Sequence, residues 1–201
     1  MKIAYIGTFN PVTNGHLLIA QTASNEVGAN VIFVPTSDLY QKDSLTTPAK
    51  YRKEMLKMAI ADNQRFELDD VELRHAHEHG RQLKTIETLH ALRCQRNEDI
   101  ALLIGTDNFN TLNRWYMAED LVKSFKIVVY PRVGYELDLE HNELYKKYPD
   151  QFIIVKTNLT SNISSTEIRK NFKEGKSNKY LLPDSVLTFI LNHFFFFDYC
   201  K

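Results

Sequence analysis

The chain has 201 residues, 43% of them apolar and 25% charged, which is enough to bury a full core without a metal or disulfides. Lysine plus arginine and aspartate plus glutamate both number 25, so no overall positive field attracts a nucleic acid or an anionic membrane. We therefore expect neither partner, and any site for an anion must be local.

Apolar strand-like runs alternate with helical patterns along the chain. The predicted strands are Lys2–Ile6, Val31–Pro35, Phe66–Asp69, Ile100–Ile104, Lys126–Tyr130 and Phe152–Val155. The predicted helices are His16–Asn25, Pro48–Asp62, Thr85–Arg96, Asn108–Trp115 or beyond, Thr166–Glu174 and Pro183–Phe194. This alternation predicts an α/β fold, a Rossmann-like doubly wound parallel sheet with helices on both faces. The loops that follow the strands then meet at one edge of the sheet, where ligands bind.

We expect one domain over residues 1–201, in which residues 162–201 form a small C-terminal helical part. The pattern contains no repeat, low-complexity segment or linker, and residues 136–150, which are charged and include Pro149, are the most mobile insertion that we predict.

The cysteines and the two ends of the chain favour a cytoplasmic protein. Cys94 and Cys200 are far apart and lack metal-ligand spacing, which is typical of free thiols in a reducing compartment. The first residues do not resemble a secretion signal. The run Phe194–Phe197 is too short to cross a bilayer and predicts packing or a contact in a homo-oligomer.

The first strand leads directly into Gly7-Thr8-Phe9-Asn10-Pro11-Val12-Thr13-Asn14-Gly15-His16. The free N–H groups at the start of a helix form an anion site, and Gly7 and Gly15 would let a ligand approach the backbone closely. Thr13 and His16 would place polar side chains over that site. The alternative is an ordinary capped turn with a surface histidine.

A second motif, Asn162-Ile163-Ser164-Ser165-Thr166-Glu167-Ile168-Arg169-Lys170, predicts a helix N-terminus with hydroxyl caps. Serine hydroxyls, free N–H groups and the guanidinium of Arg169 could together bind a polyphosphate. A well-capped helix with a solvated arginine is the alternative.

Together, these motifs resemble the paired signatures of the nucleotidylyltransferase superfamily. The runs Leu103–Asp107, Pro131–Tyr135 and Tyr180–Val186, with Leu112 and Trp115, resemble the bacterial nicotinate-nucleotide adenylyltransferase family in particular, over nearly the whole chain.

The resemblance implies transfer of AMP from ATP to the 5′-phosphate of nicotinate or nicotinamide mononucleotide, in NAD biosynthesis. ATP is then a substrate, and Mg²⁺ is carried through its phosphates with few protein ligands. The alternatives are an adenylyl- or cytidylyltransferase with another acceptor, such as phosphopantetheine, and a nucleotide-binding regulator without catalysis.

The resemblance also implies residue roles. His16 would donate to the developing charge, Thr13 would contribute one weaker hydrogen bond, and Arg169 would stabilise the departing pyrophosphate. Other residues would contact ATP: Gly7, Thr8, Phe9, Asn10, Gly15, Lys42, Gly105, Asp107, Ser164, Ser165 and Thr166. The mononucleotide would contact Lys84, Thr85, Trp115 and Arg132, with Trp115 stacking on the pyridine ring.

Two features leave questions open. The family usually shows Ser-Tyr-Thr where this chain has Leu83-Lys84-Thr85, so the preference between acid and amide stays open. The run His75-Ala76-His77-Glu78-His79 is suggestive of a metal cluster, but we predict a solvated loop there and no metal ligands.

Overall fold

The computed structural model describes residues 1–40, 47–193 and 195–196. Its strands are β1 (Lys2–Gly7), β2 (Val31–Pro35), β3 (Phe66–Leu68), β4 (Ile100–Gly105), β5 (Lys126–Tyr130) and β6 (Phe152–Ile154). They form one sheet in the order β3-β2-β1-β4-β5-β6, and every pairing is parallel. The predicted fold class is therefore confirmed, and the predicted strand bounds differ from these by at most one residue.

The α-helices of the described residues are α1 (Asn14–Val27), α2 (Ala49–Ile60), α3 (Val71–His79), α4 (Thr85–Arg96), α5 (Thr106–Phe109), α6 (Ala118–Ser124), α7 (Glu143–Lys147), α8 (Ser165–Lys173) and α9 (Asp184–His193). Two 3₁₀ turns cover Leu112–Arg114 and Pro149–Gln151.

Apolar layers lie on both faces of the sheet. Residues of α1, α2, α8 and α9 pack with alternate strand residues on one face, and residues of α3, α4, α5 and α6 pack on the other. All five residues of β2 are buried, which fits a parallel strand covered on both sides. The C-terminal helices thus belong to the core, through Ile168, Phe172, Val186 and Ile190.

The prediction of a loop at His75–His79 is wrong, because these residues end α3. The helix packs Val71 into the core and ends at Gly80, where φ is 64° and the backbone N–H donates to the carbonyl of Ala76 at 3.0 Å. Left-handed glycine caps of this kind are common helix ends.

The predicted continuous helix from Asn108 to Trp115 is also wrong. The amide of Asn142 donates to the carbonyl of Phe109 at 2.9 Å, so a distant side chain takes an acceptor that a longer helix would use. Trp115 instead has extended backbone, with φ −76° and ψ 155°, after the first 3₁₀ turn.

Within residues 136–150, where an insertion was predicted, the structure has the short helix α7, and Leu144 is buried. Phe195 lies 4.8 Å from the ring of Tyr51 on α2, and Phe196 stacks on Phe172 of α8, whereas Phe194, Phe197 and Cys200 lie outside the described residues. Among the helices described, none has the length and apolar character needed to span a membrane.

Candidate active site

The strand order reverses between β1 and β4, which lie side by side at the centre of the sheet. The crossovers from these strands leave in opposite directions, so a crevice opens at their carboxyl ends. Residues 8–13 follow β1 at this edge, and α5 follows β4 there.

The first turn of α1 holds His16 through a reciprocal cap. The backbone N–H of Thr13 donates to Nδ1 of His16 at 3.0 Å, and the Thr13 hydroxyl lies 2.8 Å from the same nitrogen. The N–H of His16 donates in turn to that hydroxyl at 3.3 Å. Thr13 is fully buried, so the structure places it as a support for His16.

The surroundings of His16 decide its charge, and its hydrogen bond from Thr13 decides its tautomer. Burial, followed by the positive charge of Arg132, lowers the pKa of His16 to about 4, so the ring is neutral at pH 7. A backbone N–H can only donate, which makes Nδ1 an acceptor. The remaining proton is therefore assigned to Nε2, which can donate to an anion.

The loop after β1 is built on Phe9, which packs instead of presenting a polar group. Phe9 is 1% exposed with φ 44°, and its ring makes an edge contact with His16 at 5.2 Å. A Cβ on Gly7 would lie 3.1 Å from the Phe9 ring, so Gly7 makes room for that ring. The Phe9 ring therefore packs inside this loop, and the polar groups of the loop are its backbone and the side chains of Thr8 and Asn10.

Three contacts join the two motifs, which lie some 150 residues apart. Arg169 donates to the carbonyl of Asn10 at 2.7 Å, and the Ser165 hydroxyl donates to the carbonyl of Pro11 at 2.8 Å. At Gly15 a Cβ would lie 2.8 Å from the carbonyl oxygen of Ile163. The absence of a side chain at Gly15 thus makes this junction possible, and the close approach of a ligand to Gly15 stays a prediction.

At the second motif the side chains divide into caps and donors. Ser164 caps α8 by accepting from the N–H of Glu167 at 3.2 Å, and Thr166 is exposed. The guanidinium of Arg169 is half-buried and donates to the Thr166 hydroxyl at 3.3 Å; no ion pair joins it to a carboxylate of the described residues. Burial lowers the pKa of Arg169, yet it stays charged at neutral pH. The α8 N-terminus thus adds a positive group beside α1.

Gly105, Asp107 and Arg132 form a second cluster at the same edge. Arg132 Nη1 donates to Oδ2 of Asp107 at 2.8 Å, and a Cβ on Gly105 would lie 2.5 Å from Cδ of Arg132. Arg132 also lowers the pKa of His16. The structure therefore places Arg132 with the residues predicted to contact adenosine, although the sequence grouped it with the mononucleotide.

The residues predicted to contact the mononucleotide come from two further segments. Thr85 is half-buried at the first position of α4, and Lys84 before it is exposed. Trp115 is half-buried and packs against the apolar layer that includes Leu83 and Ile86. Trp115 thus packs on the same apolar layer of the sheet as Leu83 and Ile86, the residues on either side of Lys84 and Thr85.

Lys42 lies outside the described residues. Two buried charged residues were missed by the sequence reading: Arg52, which donates to the carbonyl of Thr8, and Glu72. For Arg52 the available signal was a charged residue three and four positions before the apolar Met55 and Leu56 in a predicted helix, whereas Glu72 lay outside the predicted helices and gave no such signal. The rings of His75 and His79 stack at 4.2 Å, but no group of three or more His, Cys, Asp or Glu in the described ranges could hold a metal.

A family model described as cytidylyltransferase-like matches residues 4–171. A probable nicotinate-nucleotide adenylyltransferase of Dehalococcoides mccartyi is 32% identical over 193 residues, covering 93% of this chain and 92% of that protein. A protein of the same description from Caldicellulosiruptor bescii is 34% identical over 194 residues, covering 94% and 96%.

Solved structures show the same fold. The nicotinic acid mononucleotide adenylyltransferase of Plasmodium falciparum complexed with NaAD superposes with a TM-score of 0.79 at 20% identity, covering 98% of each chain. The same protein complexed with APC gives a TM-score of 0.77 and covers 96% of each chain.

Proposed function

Because the chain belongs to the cytidylyltransferase-like family and to the nicotinate-nucleotide adenylyltransferases, we propose that it transfers AMP from ATP to nicotinate mononucleotide. The products are the acid dinucleotide and pyrophosphate, in NAD biosynthesis. The junction of the two motifs, which sets His16 and Arg169 at the start of two helices, is the observation that carries the proposal.

In the proposed reaction, an oxygen of the mononucleotide 5′-phosphate attacks the α-phosphorus of ATP. The bond from that phosphorus to the bridging oxygen of the β-phosphate breaks, and the electron pair leaves with pyrophosphate. No protein nucleophile is needed, so the enzyme acts by alignment and charge stabilisation.

His16 is the donor to the α-phosphate in this proposal. Its Nε2–H is available at neutral pH because the Thr13 amide holds Nδ1 as an acceptor. Thr13 is then a positioning residue, which revises its predicted role as a direct donor. Arg169, Thr166 and the first N–H groups of α8 would bind the β- and γ-phosphates and stabilise the leaving group.

Adenosine would lie against Gly105, where the backbone is exposed to close approach. The Arg132 side chain now occupies that space and pairs with Asp107, so a bound nucleoside would displace it. Asp107 would then be free to accept from a ribose hydroxyl.

The N–H groups of Thr85 and Ile86 at the start of α4 would hold the pyridine carboxylate, whereas the Lys84 N–H already donates to Glu87 at 2.7 Å. Thr85 adds a hydroxyl, and Trp115 an aromatic face for the cationic ring. A carboxylate gains more from this position than an amide, so we propose a preference for the acid.

Mg²⁺ would enter with ATP, bound by phosphate oxygens and water, which is how this ion is commonly held. Hydrogen-bond donors at the starts of α1 and α8 would then hold the phosphates that carry the ion. The free, exposed thiol of Cys94 fits a reducing compartment, and we propose a cytoplasmic location.

The test is pyrophosphate release with ATP and Mg²⁺, with nicotinate mononucleotide, nicotinamide mononucleotide and phosphopantetheine offered in parallel. We expect release to be fastest with the first and absent with the third, and CTP in place of ATP should be poorly used. Release with phosphopantetheine alone would reassign the acceptor, and no release with any acceptor would favour a regulator without catalysis.

A further inference from the structure

Two charged side chains are buried beneath the proposed site, outside both substrate-binding motifs. Arg52 of α2 has no exposed surface, and Glu72 of α3 is 2% exposed. A buried charge is costly unless hydrogen bonds satisfy it, so its partners show what it organises.

Arg52 donates hydrogen bonds to backbone carbonyls in three separate segments of the chain. Its Nη1 donates to the carbonyl of Thr8 at 2.7 Å, and its Nη2 to the carbonyl of Thr36 at 2.8 Å. Nε donates to the carbonyl of Thr47 at 3.0 Å, and Nη2 also reaches Asp38 at 3.1 Å. The planar fork of the guanidinium thus holds the loop after β1 to the segment after β2.

Glu72 makes the matching contacts on the other side of that segment. Its carboxylate accepts from the Thr88 hydroxyl at 2.8 Å, from the Gln82 amide at 2.9 Å and from the backbone N–H of Ser37. The Ser37 hydroxyl donates to Gln82 at 2.5 Å. Burial raises the pKa of Glu72 to about 7, while these hydrogen bonds and the charge of Arg52 oppose the rise.

Residues 36–38 are therefore held by hydrogen bonds between the Arg52 guanidinium and the Glu72 carboxyl group. Arg52 reaches from them to Thr8 in the loop that would bind ATP. Glu72 reaches from them, through Gln82 and Thr88, to the start of α4 that would bind the mononucleotide. We propose that Arg52 and Glu72 are positioning residues, which fix the ATP-binding loop and the start of α4 relative to each other. This role rests on the proposed function.

If Arg52 and Glu72 act in this way, weakening their hydrogen bonds should slow the reaction without weakening substrate binding. In-line transfer depends on the relative placement of two bound substrates, and a misplacement of about 1 Å can cost about a hundredfold in rate. Neither side chain is placed to touch substrate, so each substrate should still bind when the network is weakened. The loss should therefore appear in kcat and not in either KM.

The experiment compares Arg52→Lys, Glu72→Gln and the double variant with wild type, in the pyrophosphate assay and in thermal unfolding. Lysine keeps the charge but loses the fork, and glutamine keeps the volume but cannot accept at both ends. We expect kcat to fall about 10- to 100-fold in each single variant, with both KM values within about threefold. The double variant should lose little more than the worse single variant, because the two act as one unit.

Arg96→Lys is the matched control, since this arginine pairs with Glu67 and Asp69 and touches neither substrate-binding part. Should Arg52→Lys or Glu72→Gln fail to fold, Ser37→Ala and Thr88→Val interrupt the same network more gently, with the same expected split. Any one of four outcomes would overturn the proposal. These are an unchanged kcat in the variants, a raised KM with unchanged kcat, losses that multiply in the double variant, and an equal loss in Arg96→Lys. An active wild type with these results overturns the positioning role alone, whereas an inactive wild type overturns the proposed function as well.

Discussion

The phosphate end and the pyridine end of the proposed site are built differently. At the phosphate end, side chains of α8 bond to main-chain carbonyls of the loop after β1, as Arg169 does to Asn10 and Ser165 to Pro11. At the pyridine end, Thr85 and Trp115 lie in separate segments joined by apolar packing. The proposed substrate-contacting side chains at the first end are thus fixed by directional hydrogen bonds, whereas Trp115 at the second end is held by apolar packing. Single substitutions of these side chains should therefore affect the rate at the first end and substrate affinity at the second.

The largest effect is expected at His16. In His16→Ala the donor to the α-phosphate is lost, and kcat should fall about 100- to 1,000-fold, with a much smaller change in the KM for ATP. Steady-state pyrophosphate release measures both. His90→Ala, which removes an exposed histidine from α4, should keep wild-type kcat. An unchanged kcat in His16→Ala would remove this residue from the mechanism.

Arg169 should come next. In Arg169→Ala the kcat/KM for ATP should fall about 10- to 100-fold, because a charge-assisted contact to the leaving group is lost. Arg169→Lys should recover part of this loss, since lysine restores the charge without the fork. Lys170→Ala removes an exposed neighbour on α8 and should change little. Equal losses in Arg169→Ala and Lys170→Ala would mean that only the general positive field matters.

Local patterns predicted the secondary structure around the phosphate end. Apolar strand-like runs predicted each strand to within one residue, and the cap formed by Thr13 and His16 spans only three residues. The junction between Gly15 and Ile163 was not predictable, because a glycine's freedom looks the same whether a ligand or another segment uses it. Contacts over such distances depend on the folded topology.

Elsewhere, tertiary contacts overrode local signals. Asn142 takes the carbonyl of Phe109, which breaks the helix predicted around Trp115. Arg132 follows β5 and is predicted by resemblance to contact the mononucleotide; its side chain lies against Gly105 and pairs with Asp107, a neighbourhood that the sequence did not indicate. Both cases involve side chains more than 20 residues from their partners, which sequence spacing does not bring together.

A smaller effect, on substrate affinity and not on rate, is expected at Trp115 at the pyridine end. In Trp115→Ala the KM for the mononucleotide should rise about tenfold, which is the size of a lost aromatic contact, while the KM for ATP stays nearly constant. Trp115→Phe keeps an aromatic face and should lose less. A selective rise in the KM for ATP would refute stacking on the pyridine ring and would mean that Trp115 contributes to ATP binding instead.

The smallest expected effect concerns pH, because the titration of His16 should contribute almost nothing to the pH dependence of the rate near neutrality. Burial and Arg132 lower the pKa of His16 to about 4, so its Nε2–H is present throughout pH 5.5–8. The second pKa of the substrate phosphate, about 6, will bend any single profile, but it affects wild type and variant alike. The ratio of wild-type kcat to that of His16→Gln should therefore vary less than about twofold across this range.

Glutamine suits the comparison because it can accept from the Thr13 amide and preserve the cap. The sign for stability is also fixed: the unfolded chain binds a proton at His16 between about pH 4 and 6.5 that the folded chain does not. Wild type should thus gain stability over His16→Gln as pH rises through this window, and the gain should be lost as pH falls toward 4. A kcat ratio that changes tenfold below pH 6.5 would instead mean that His16 titrates at its ordinary pKa, and that neither burial nor Arg132 sets its charge.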